Sequence, residues 1–170
     1  MKFLVTSILV LLTVLTVQAQ DDQQTVLILT RHAEKAKEGG RDPKLSEAGE
    51  KRALALDQAL KHTPVDVVIS TPYIRTRQTV RHVAARNKVV TLEYDYRNPK
   101  LLEDLVKEYQ GKTILISGHS NTTPVLVNKL LGEERYEQLE ETDYGKLFIV
   151  TCSAVGKASA LIVHYGDPVK

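Results

Sequence analysis

From residue 25 onward the hydrophobic positions fall in short blocks separated by polar, glycine- and proline-bearing stretches. Val26-Leu27-Ile28-Leu29 has no polar alternation, the pattern of a strand buried on both faces at the centre of a parallel sheet. Thr113-Ile114-Leu115-Ile116-Ser117 repeats it, and Val65 to Ile69 gives a shorter version. Between these blocks the spacing turns helical. Ser46 suits an N-cap for a helix running to about Lys61, in which Ala48, Ala55, Leu56, Ala59 and Leu60 recur on one side, so alanines would let it lie close to the sheet. Thr71 and Pro72 suit the N-cap and first position of a second helix reaching about Arg86, followed by a strand over Lys88 to Glu93. A third helix starts at Asn98-Pro99, lines up Leu101, Leu102, Leu105, Val106 and Tyr109, and stops at Gly111. Thr123 and Pro124 repeat the cap pattern before Val125 to Leu131, and Leu147 to Cys152 with Ala158 to Tyr165 read as strands joined by a turn at Ser153 to Lys157. Strand alternating with helix predicts an α/β fold, a three-layer α/β/α sandwich with a mostly parallel central sheet.

The first segment stands apart from this pattern. Lys2, the apolar run Phe3 to Val17 and the small residues of Val17-Gln18-Ala19 match a secretory signal peptide over residues 1–19, cut after Ala19. The rival, a retained membrane anchor, is disfavoured because the run is short and lacks a basic flank on its far side. The expectation is an exported chain, periplasmic or secreted, with one domain over residues 20–170 and no stable membrane anchor after cleavage. Charge is nearly balanced, with 23 Lys and Arg against 21 Asp and Glu, which argues against a nucleic-acid binder. The single cysteine, Cys152, lies in an apolar strand and reads as a core residue.

Chemistry-bearing residues collect where strands end. Arg31 and His32 leave the first strand, Arg75 falls in the opening turns of the helix after the second, and His119 follows the Thr113 to Ser117 strand. Ligands of open α/β sheets bind beyond the carboxyl ends of the strands, so these junctions converge. Two guanidiniums and a second imidazole around a histidine suit a phosphoryl group, whose negative charge must be met by fixed cations before a neutral imidazole can attack phosphorus. His62, His82 and His164 have no such setting and read as surface or structural.

Arg31-His32-Ala33-Glu34, Ser70-Thr71-Pro72 leading to Arg75-Thr76 and Gln78-Thr79, and Gly118-His119-Ser120-Asn121 together resemble the histidine phosphatase superfamily, the phosphoglycerate mutase-like group. Leu45-Ser46, Gly49 and Arg52-Ala53 also fit its first helix. The resemblance implies that His32 is the nucleophile that becomes phosphorylated, that Arg31 and Arg75 hold the phosphoryl oxygens, and that His119 stabilises the transition state, with Asn121 at the substrate. It implies no metal and no cofactor, and a small phosphorylated molecule as partner. Ala33 departs from the usual glycine after the nucleophile. The acidic proton donor is expected between the second and third motifs, where Asp95, nearer the strand's carboxyl end, is taken before Glu93; Glu34 is read as an orienting partner for an arginine or backbone donor. The function expected is hydrolysis of a small phosphate monoester through a phosphohistidine on His32. Alternatives are a phosphate-binding module without turnover, a protein phosphohistidine phosphatase, and a mutase. Specificity is expected from the loop Ala36 to Lys44 and the segment Glu133 to Gly145, with Tyr136 and Tyr144 either lining the site or packing on the core.

Overall fold

The computed structural model describes residues 23–167, so the expected signal segment at residues 1–19 lies outside the described residues. Six strands, β1 (Thr25–Arg31), β2 (Val67–Ser70), β3 (Thr91–Glu93), β4 (Thr113–Gly118), β5 (Lys146–Ala154) and β6 (Lys157–His164), form one sheet in the order β3-β2-β4-β1-β5-β6. The pairings β3-β2-β4-β1 are parallel, whereas β5 joins β1 antiparallel and pairs with β6 as a hairpin. The sheet is therefore mixed, parallel across the four strands that carry the site. Among the described residues the helices are α1 (Glu47–Ala59), α2 (Ile74–Asn87), α3 (Leu101–Glu108) and α4 (Thr122–Leu131).

The alternation along β1 shows how the layers form. Leu27 and Leu29 are packed with Leu101, Leu105, Leu126 and Leu130 of α3 and α4, while Ile28 between them is packed with Leu56, Val80 and Val83 of α1 and α2. Burying each such side chain contributes about 1.5–3 kcal/mol, which is why this central strand fixes both cores. The helix after β1 therefore covers one face and the helix after β4 the other. These two strands are neighbours, so the chain parts between their carboxyl ends and leaves a crevice there. Cys152 is buried in the α3 and α4 core, as its strand position suggests.

Several local expectations are corrected. The buried face of α1 consists of Gly49, Arg52, Ala53 and Leu56, whereas Ala48 and Ala59 are exposed. Gly49 brings the helix close: a Cβ there would stand 2.1 Å from the Glu34 carbonyl oxygen. Helix α2 begins at Ile74 with Tyr73 as N-cap, not at Thr71 and Pro72, because the Asp42 carboxylate, reaching in from the preceding loop, accepts the Ile74 N–H. Helix α4 begins at Thr122 with Asn121 as N-cap, earlier than Thr123 and Pro124. The β3 strand shrinks to Thr91–Glu93 at the sheet edge. Among the described residues no helix is long and apolar enough to cross a membrane.

Candidate active site

Main-chain pairing sets the two histidines side by side. Arg31, the last residue of β1, stands opposite Gly118, the last of β4, and the next N–H, that of His32, donates to the Gly118 carbonyl at 2.9 Å. His119 follows Gly118 directly, and the two rings meet edge to face with centroids 5.5 Å apart. The loop after His32 is then tied to α2, since Ala33 N–H donates to Thr79 Oγ1 at 2.9 Å and that hydroxyl donates to the Arg75 carbonyl. Small Ala33 is fully buried at this crossing. Glu34 turns away from the cavity to Arg52, whose Nε–H is 2.9 Å from both carboxylate oxygens. Arg52 also donates to the Tyr165 and Asp167 carbonyls, so a buried cation of α1 locks the base of the loop after His32 to the end of β6.

The tautomer of His32 follows from its surroundings. Nδ1 lies 2.8 Å from the Ala33 carbonyl, which can only accept, so Nδ1 carries the proton and Nε2 keeps a free lone pair. Burial holds the ring's pKa down at about 3, and the charges of Arg75 and Arg31 push the same way, against the Ala33 hydrogen bond. His119 is lowered to about 4, first by burial and then by Arg75 and Arg31. Its Nε2 sits 3.1 Å from Thr71 Oγ1, whose hydroxyl already donates to Thr76, so the imidazole donates through Nε2–H. Its Nδ1 accepts from Arg75 Nη2 at 3.5 Å.

Arg31, His32, Arg75 and His119 line a cavity of about 290 Å³ together with Tyr73 and Glu141. Arg31 is nearly buried. Its Nη1 donates to the carbonyls of Glu140, Glu141 and Asp143, and its guanidinium lies 4.1 Å from the centre of the Tyr144 ring. Arg75 pairs with Asp42 at 3.4 Å and stacks on Tyr73, 4.5 Å from the ring centre. The Nε–H groups of both arginines are buried without a partner among the described residues. A buried donor left unsatisfied costs about 1–3 kcal/mol, which an oxyanion bound between the two would recover.

The structure thus brings together Arg31, His32, Arg75 and His119, with Asn121 at the cavity rim. It does not bring Asp95 or Glu93 to them. Asp95 lies beyond β3, where the side chain and backbone N–H of Arg97 both bond its carboxylate, hold it ionised below the usual range, and keep it on the surface. Glu93 pairs with Arg77 at 2.7 Å. Of the two tyrosines, Tyr144 reaches Arg31, and Tyr136 packs on Phe148 while also lining the groove beside the cavity. The loop Ala36 to Lys44 contributes the Asp42 carboxylate, which pairs with Arg75. Arg52, expected only to fit the first helix, is the arginine that Glu34 orients, and Tyr73, whose ring stands edge to face on His119 at 5.0 Å, joins the site without a sequence expectation. An aromatic two residues before Arg75 is the sequence signal for Tyr73.

The two lowered histidines make stability depend on pH. An unfolded histidine takes up its proton near 6.5, whereas folded His32 and His119 wait until about 3 and about 4, so the unfolded state binds more protons between these values. Stability contributed this way is complete above pH 6.5 and is lost as pH falls toward 4. Each group should remove on the order of 2 kcal/mol by pH 5, above most carboxylate titration. Denaturant unfolding at pH 7.5 and pH 5 should show that loss, and the His32→Asn variant should show a smaller one.

The fold and this cavity define an α/β domain in which a buried histidine, a second histidine and two arginines meet at the carboxyl ends of parallel strands. The model of the histidine phosphatase superfamily (branch 1) matches residues 27–98, which include Arg31, His32 and Arg75. Over that stretch the chain is similar to the histidine phosphatase superfamily. It is 33% identical over 97 residues to phosphoserine phosphatase 1 of Hydrogenobacter thermophilus, a match covering 49% of this chain and 46% of that protein. The chain thus spans about half the length of the curated relative it matches. Among solved structures, mycobacterial glucosyl-3-phosphoglycerate phosphatase shares the fold with a TM-score of 0.68 at 13% identity, over 84% of this chain and 98% of that one. The protein histidine phosphatase SixA complexed with tungstate gives 0.68 at 18% identity, over 82% and 96%. A phosphoserine phosphatase from Entamoeba histolytica gives 0.64 at 17% identity, over 84% and 97%.

Proposed function

We propose that this chain is a phosphoric monoester hydrolase that cleaves a small phosphate ester through a phosphohistidine on His32. The observation that carries the reading is the free Nε2 of a buried His32, set in one cavity with a second histidine and two arginines. Such a nitrogen attacks phosphorus without first losing a proton, because the imidazole is already neutral at any ordinary pH. Arg31 and Arg75 neutralise the phosphoryl oxygens, with His119, held by Thr71 and Arg75, beside them. A neighbouring groove of about 700 Å³, which shares Tyr96, Asn121 and Thr122 with the cavity, accommodates the organic part of the ester. Relatives named as phosphatases of small phosphorylated molecules support this class.

Phosphate release from a panel of monoesters, including p-nitrophenyl phosphate, tests it. Turnover of at least the activated ester is expected. Stabilisation by phosphate without any release would instead mark a binding module. We also propose export, supported by Lys2, the apolar run Phe3 to Val17 and the small residues at Val17 and Ala19. Fractionation of expressing cells with sequencing of the mature N-terminus tests that part, the expected first residue being Gln20.

A further inference from the structure

An alkyl ester needs a proton on its leaving oxygen as the P–O bond breaks. Asp95 and Glu93 are both held away from the cavity by arginines, so the donor lies elsewhere. In-line displacement places the leaving oxygen opposite the attacking nitrogen. His32 is 5% exposed and forms the floor, so that oxygen points to the mouth. Glu141 is the one carboxylate among the described residues that line the cavity, and it stands at the mouth with its side chain 76% exposed.

Its attachment is unequal in a telling way. The backbone around Glu141 is fastened to Arg31 by carbonyls at 2.7, 3.1 and 3.3 Å, whereas the carboxylate is joined only by Oε2, which accepts from Arg31 Nη2 at 3.3 Å. The segment is thus anchored to a phosphoryl-binding arginine while its acid group is free to swing. His119, held between Thr71 and Arg75, belongs instead to the groups that surround the phosphoryl oxygens.

Resting on the phosphatase reading above, we propose that Glu141 is the catalytic acid that protonates the leaving oxygen. A phosphoryl group that engages Arg31 displaces the Glu141 side chain from its cation, and that side chain acts as the carboxylic acid, its proton supplied by solvent. His32 Nε2 then forms the N–P bond as the P–O bond breaks, and the departing oxygen keeps the electron pair and receives the Glu141 proton. In the second step a water attacks phosphorus and gives its proton to the Glu141 carboxylate. The N–P bond breaks, its electron pair returns to Nε2, and inorganic phosphate leaves. Ester and water have become alcohol and phosphate.

The test is Glu141→Gln, which keeps size and an oxygen for Arg31 but has no acidic proton. The measured quantity is kcat/KM, which reports only the steps through release of the alcohol. For an alkyl ester such as glycerol 2-phosphate it should fall about 10²-fold or more, and for p-nitrophenyl phosphate, whose leaving group needs no proton, by less than about 3-fold. Glu141→Asp should recover part of the alkyl-ester rate. Equal losses on both esters would overturn the proposal and leave a positioning role, and a rise on both would show that Glu141 only competes for Arg31. Activity of the unsubstituted chain on both esters separates these results from failure of the phosphatase reading, which would show as no turnover of either and would overturn both.

Discussion

Replacing His32 with alanine is expected to lower phosphate monoester turnover about 10⁴-fold or more, because the step that splits hydrolysis into two easier displacements is removed. The loss should be chemical rather than structural. The main-chain bond from residue 32 to the Gly118 carbonyl does not involve the ring, and the neighbouring loop remains tied through Ala33 to Thr79. The variant also loses a histidine that folding must bury uncharged, so at pH 5.5 it should be no less stable than the parent. Both arginines remain, and inorganic phosphate should still raise its Tm. Steady-state assays with thermal melts in phosphate check the two halves together. Full activity would remove His32 from the mechanism.

The second large effect is expected at Arg75. Its Nε–H is buried and unpartnered, Nη2 donates to His119, and the guanidinium plane is fixed by Tyr73 on one face and Asp42 at Nη1. A donor so pre-arranged toward developing charge contributes about 10²–10³-fold in rate, so Arg75→Ala should lose that much in kcat/KM. Arg75→Lys should recover little of it, because an ammonium lacks both the fork and the flat face that stacks on Tyr73. A further readout distinguishes an electrostatic role from a packing one. Arg75 helps hold His119 and His32 neutral, so their titration followed by NMR should move upward in either Arg75→Ala or a charge-free Arg75→Gln variant, and stay lowered in Arg75→Lys.

Much of this arrangement is legible in the sequence because burial leaves a plain mark. A strand covered on both faces, such as Val26 to Leu29, has to be apolar at successive positions, and the abrupt change to Arg31 and His32 marks its carboxyl end. The same apolar pattern marks β4, with His119 just beyond its end. Helix starts were less visible, since a threonine followed by proline signals a cap only if its hydroxyl is free. Thr71 is bonded to Thr76 and His119 instead, and the N–H of Ile74 is met by Asp42 from 32 residues earlier. Arg52 looks like any charged residue of an amphipathic helix until Glu34 and the end of β6 close around it. Asp95 failed for a local reason. Arg97, two residues on, bonds it more readily than the distant cavity could, and nothing in the strand pattern of Thr91 to Glu93 reveals that the chain turns outward immediately afterwards. Glu141 lies in a segment without regular periodicity, where only the folded course of the chain shows that three carbonyls converge on Arg31.

The most direct measurement is rapid acid-free quenching of the chain during turnover of a radiolabelled phosphate ester, followed by mapping of the labelled peptide. The account predicts a label that is stable to base, lost in acid, located on His32, and absent from His32→Ala. A label that survives acid, a label on His119, or rapid turnover with no labelled protein at any quench time would contradict it.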